Sequence, residues 1–166
     1  MTRWLHCDRT TLNLFAAGLF HLLEQQLANV CLDGAFDVPP PGDTKLSVVA
    51  GWYSRHFNLD FAALSAWPRI EELRLIANAV KHAEGGSAQR LRELRPELFQ
   101  NPSLRDLFPD FPFMHTAPSL RLPLAGDDFY VTDERFSEYR EAANRFLEEI
   151  AEHFEANAED LYPVAS

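Results

Sequence analysis

The stretch TTLNLFAAGLFHLLEQQLANVCLDG, Thr10 to Gly34, constrains the fold more than any other part of this chain. Leu12, Phe15, Ala16, Leu19, Leu22, Leu23, Leu27, Val30 and Cys31 recur at helical steps for about five turns, with no proline and no alternation. A run of that length predicts a long, mostly buried helix. Thr10 or Thr11 supplies an N-cap oxygen, and Gly34 supplies the stop. A single helix cannot bury its own stripe, so other helices must be found to cover it.

A second long pattern closes the chain. After a cap at Thr132 or Asp133, Phe136, Tyr139, Ala143, Phe146, Leu147, Ile150 and Phe154 form one stripe, and glutamates and arginines take the other face. Between the two, VPPPGDTK reads as a loop, and Asp43 or Thr44 caps a helix through KLSVVAGWYSRHF with Leu46, Val49, Trp52 and Tyr53 inward. Pro68 suits the first turn of a third helix that ends at Gly85-Gly86. Ser87 then caps a short helix, AQRLRELR, stopped by Pro96. The segment FQNPSLRDLFPDFPFMHTAPSL reads as an ordered excursion packed by its aromatics, and SLRLPLAGDDFYVT as a short β-hairpin with Pro123 at an edge. The expectation is an all-α single domain over residues 1–166, with about four main helices and a β-hairpin inserted before the last.

Composition supports a soluble folded protein: 46% of the 166 residues are hydrophobic and 24% charged. The formal net charge of -10 argues against stable binding to duplex DNA. A small Arg/Lys/His pocket still permits contact with RNA, because charges farther away than about 8 Å are screened. Cys7 and Cys31 form no CxxC, the N-terminal MTRWLHCDRTTLNLF has no uninterrupted apolar core with a small-residue cleavage site, and no later run reaches the length of a membrane span, so a cytoplasmic protein with no membrane association is expected.

The third helix, within EELRLIANAVKHAEGG, has two faces. Leu73, Ile76, Ala77, Val80 and Ala83 fall on one side, and Glu71, Arg74, Asn78, Lys81 and His82 on the other. Arg74, Asn78 and His82 are successive i, i+4 neighbours, so one phosphate or ribose is within reach of all three. The bland explanation is that solvated helix faces carry charges. Asn and His, however, are poorer helix formers than the Glu, Lys and Gln that usually occupy such faces. The chemistry available is that of a metal-independent ribonuclease. His82 exchanges protons with a 2′-hydroxyl or a departing 5′-oxygen, Arg74 clamps the phosphate, Asn78 orients, and Lys81 adds a second cation. Cleavage through a cyclic phosphate profits from two proton-transfer groups, so a C2 homodimer that joins two such faces is expected.

At this helix, RLIANAVKH followed by AEG, the chain resembles the HEPN superfamily, small and usually dimeric all-α domains with an Arg-x(4–6)-His motif. His82 matches the motif histidine and Asn78 the polar residue before it, while Ala77 stands immediately before Asn78 and Arg74 lies further back. The resemblance implies metal-independent endoribonuclease activity on RNA in a toxin–antitoxin or anti-phage defence setting, with an antitoxin or defence protein as partner. The alternative is a non-catalytic HEPN-like module that binds a protein or nucleotide partner through the same groove. No cofactor or metal is implied.

On the first helix, His21 and Glu24 interrupt the apolar pattern as candidate substrate-binding residues, with Glu24 placed to reach Arg74 or His82 across a bundle; an exposed strip is the plain alternative. Glu149 and His153 have i, i+4 spacing suited to a metal pair but lack a second motif, and a surface charge cluster is the expectation there. No Gly-rich phosphate loop, GxSxG, HExxH or paired CxxC occurs.

Overall fold

The structure, a computed structural model, describes residues 9–32, 38–121, 123 and 128–158. Every regular element among them is helical: α1 Arg9–Leu32, α2 Leu46–Phe57, α3 Trp67–His82, α4 Gly86–Leu94, α5 Pro102–Leu107, α6 Pro112–His115 and α7 Asp133–Ala156. Short 3-10 turns occupy Phe61–Ala63 and Pro96–Phe99. The expected all-α class is present, with α1, α2, α3 and α7 as the main helices. No described helix is long and apolar enough to cross a membrane.

The expected β-hairpin at 119–132 is not built as strands among the described residues, and its tip, 124–127, lies outside them. Four of the described backbone groups in this segment have partners elsewhere in the fold. Asn13 of α1 donates from Nδ2 to Phe129 O at 2.8 Å and accepts from Val131 N–H at Oδ1, 3.1 Å. Tyr130 N–H donates to Leu98 O at 2.8 Å, and Leu120 N–H to the Glu84 carboxylate at 3.0 Å. Among the described residues, those bonds leave the alternation in the sequence with no ladder to register.

The chain divides into two compact units, neither of them a contiguous stretch. One takes the described residues of Met1–Phe20 and Glu71–Tyr139, the other those of His21–Ile70 and Arg140–Ser166. In the first unit, Leu12 and Ala16 of α1, Leu73, Ile76 and Val80 of α3, Leu91 of α4, and Phe99, Phe129 and Tyr139 are buried. Phe99 and Phe129 meet edge-on, their centroids 5.3 Å apart. Inside this unit the Glu72 carboxylate, 6% exposed, accepts from Tyr139 Oη–H at 2.5 Å and pairs with Arg95 at 3.0 Å. A buried charge persists in such a place only when partnered this fully.

The second unit is built on aromatics. Tyr53 packs on Phe61 at 5.1 Å, Phe61 on Phe146 at 5.0 Å, and Phe57 on Phe154 at 5.0 Å. The polar ends of two large rings are satisfied, with Trp52 Nε1–H donating to Pro39 O and Tyr53 Oη–H to Leu27 O. Asn58 ends α2 in the left-handed region at φ 50, where asparagine is tolerated better than most residues. Cys31 is free and buried, and burial pushes its thiol up to about 11.

The stripe of α1 differs from the periodic expectation. Leu12, Ala16, Leu23, Leu27 and Cys31 are buried as expected, but Phe15, Leu22 and Val30 are exposed, while Asn13, Phe20 and Ala28 are buried in their place. This helix is apolar on most of its circumference, so periodicity alone does not choose the inner face.

Candidate functional site

The polar face of α3 lies in the first unit from Glu71 onward. Arg74 and Asn78 are half-buried there, and Lys81 and His82 are exposed in the last turn, where positive charge suits the helix C-terminus. Ala83 then turns left-handed, at φ 59, and its N–H donates to Ala79 O at 2.9 Å, which closes the helix just past His82. Arg74, Asn78 and His82 therefore share one face at successive turns, as the spacing predicted. Ala77, beside Asn78, is 1% exposed and belongs to the core.

Electrostatics on this face are weaker than its composition suggests. Arg74 donates from Nε to Glu71 Oε1 at 2.9 Å and from Nη2 to Oε2 at 3.0 Å, a fork-to-fork pair within one helix. Two of its five N–H donors are used, and its charge is matched by an adjacent carboxylate. An i, i+3 pair at half exposure is worth only about 0.3–0.5 kcal/mol. An incoming phosphate can displace Glu71, but its electrostatic attraction to the matched pair is small.

His21 and Glu24 belong to the second unit. His21 Nδ1 lies 3.1 Å from Glu24 Oε2, and the other Glu24 oxygen accepts from Leu46 N–H at 3.2 Å, at the first residue of α2. Glu24 thus caps a helix whose own N-cap residue, Lys45, offers no side-chain cap. With Gln25, Asn29, Thr44 and Lys45, the pair lines a half-open groove of about 360 Å³. Of the acid–histidine pair on α7, Glu149 accepts from Ser65 N–H, Ser65 Oγ–H and Ala66 N–H, and His153 Nε2–H donates to Phe57 O at 2.9 Å. Each holds a helix end, and no cluster of three metal-binding side chains occurs among the described residues.

Several polar groups that the sequence did not single out carry more of the local chemistry. Glu72 is spaced i, i+4 from Ile76 and i, i+8 from Val80, so its place on the inner face was readable, although its partners Tyr139 and Arg95 were not. Glu84 accepts from both Arg92 terminal nitrogens at 2.7 Å, and those bonds hold its carboxyl down to about 2. Arg92 also lies over the Phe99 ring, 4.5 Å from its centroid. His115, whose carbonyl accepts from Asn101 N–H, is 6% exposed, and neither of its ring nitrogens has a hydrogen-bond partner among the described residues.

No protein-family model matches the chain, and neither a curated protein nor a solved structure matches it.

Proposed function

We propose that this chain is a HEPN-like helical module that binds a protein partner in the cytoplasm rather than cleaving RNA. The observation that carries this reading is the exposed apolar surface of α5 and α6, where Leu107 is 70% and Phe113 79% exposed. The α3 face supports it from the other side. Its arginine is matched by Glu71, the residue before Asn78 is a buried alanine, and its face offers one histidine for a reaction that profits from two proton-transfer groups.

Metal-independent ribonuclease activity is the second reading, favoured by one observation: His82 is exposed on the same helix face as Asn78 and Arg74. A homodimer that brings two such faces together belongs to that reading, with RNA as substrate and a toxin–antitoxin or defence context. Incubating the purified protein with mixed RNA in EDTA separates the two. Intact RNA is the result expected for the binding module; cleavage that persists in EDTA and disappears in His82→Ala would establish the nuclease instead.

A further inference from the structure

The chain between Asn101 and His115 forms a strap pinned at its base. Asn101 N–H donates to His115 O at 2.7 Å, Ala117 N–H to Phe99 O at 2.7 Å, and Gln100 bridges Thr116 in antiparallel fashion. The Asn101 side chain starts α5 by accepting from Ser103 and Leu104 N–H. On this base α5 and α6 pack against each other and hold Leu107, Phe111, Phe113 and Met114 at exposures of 70%, 50%, 79% and 45%. Phe111 and Phe113 stand edge to face, with centroids 6.0 Å apart. Phe99, at the foot of the strap, is fully buried, so the fold has room for aromatics inside and places these outside. Single exposed apolar residues need no explanation, but four on one pinned strap form a patch.

Charge selects what covers that patch. The chain carries -10 overall, and the strap itself presents Asp106 and Asp110, with Arg105 paired to Asp106 at 3.7 Å. A second copy brings another ten negative charges, and an anionic bilayer repels the protein in the same way. A partner whose apolar contact is rimmed by cations is attracted at long range and buries the aromatics at short range. We infer that the strap Pro102–His115 is the docking surface for a protein partner whose apolar contact is flanked by lysine and arginine. The inference rests on the binding-module reading and names the partner's chemistry.

The test uses the full chain and two labelled probes, a designed amphipathic helix of leucine and lysine and its leucine/glutamate counterpart, followed by fluorescence anisotropy. The lysine probe is expected to bind saturably and the glutamate probe not. In Leu107→Asp/Phe113→Asp, affinity for the lysine probe should fall about tenfold or more, as for lost interface anchors. Two new carboxylates strengthen any nonspecific attraction to lysine, so only loss of the apolar contact explains weaker binding. Both positions are exposed, and circular dichroism checks that the variant is folded; Leu107→Gln/Phe113→Gln repeats the test without added charge. Hydrogen exchange should show protection by the lysine probe within the strap. Undiminished binding by the variants, equal binding of the glutamate probe, or self-association or binding to phosphatidylserine vesicles that the variants abolish would each overturn the assignment. RNA cleavage in the EDTA experiment would instead strike the reading beneath it.

Discussion

At the level of single residues, Asn13 and Glu72 show how a polar side chain in a core organises the chain around it. Asn13 is fully buried and satisfies one carbonyl and one amide of the segment before α7. Asn13→Ala leaves both without partners, and chemical denaturation should show a loss of about 2–4 kcal/mol. Tyr139→Phe removes a short charge-assisted bond to Glu72 and should cost about 1–3 kcal/mol, whereas Glu72→Ala, which breaks the buried pair itself, should cost about 3–5 kcal/mol. His82→Ala is the contrast. His82 is exposed at the end of α3, so melting should move little, and a large drop in its thermal midpoint would contradict its placement as an exposed side chain.

Two helix ends in this fold are held by carboxylates from elsewhere in the sequence. Glu24 caps α2, and Glu149 receives the amides just ahead of α3. Thr132 caps α7 locally, accepting from Arg135 N–H. Replacing Glu149 with Ala should cost about 1 kcal/mol in thermal or urea unfolding, the usual worth of a cap. Glu84 ties the end of α3 to α4 through Arg92 and gives a pH signature. Its folded pKa, about 2, lies below the ordinary 4.5. Its contribution is therefore present above about pH 4.5 and is lost as the pH falls toward 2. Because the carboxylate is about one-third exposed, the expected size is only about 1 kcal/mol. Stability of Glu84→Gln measured between pH 5 and 3 should fall less steeply than that of the parent; parallel curves would exclude the pair as the source.

For the whole molecule, the balance of charge and exposed apolar surface governs association. With -10 overall, self-association is opposed at low ionic strength and eased as salt screens the repulsion. Light scattering at micromolar concentration and low salt is expected to return a monomer under the binding-module reading. A low-salt dimer lost on His82→Ala or Asn78→Ala would favour the composite nuclease site.

Much of this architecture was legible from local pattern. Helical spacing placed the four main helices, the inner residues Leu46, Val49, Trp52 and Tyr53, and the two faces of α3, because burying one stripe is a property of near neighbours in sequence. Thr132 was readable as a cap for the same reason. Which side of α1 faces inward was not, since leucine and phenylalanine surround that helix and only its neighbours in space choose among them. The strap differs again: its prolines and phenylalanines break every period, so nothing local said whether Phe113 would pack inside with Phe99 or stand in solvent. Glu24, Glu149 and Glu72 were visible as charges, but their roles are bonds to backbone or side chains more than twenty residues away. Such pairings are decided by tertiary packing, because hydrogen bonds to partners distant in sequence leave no periodic trace in it.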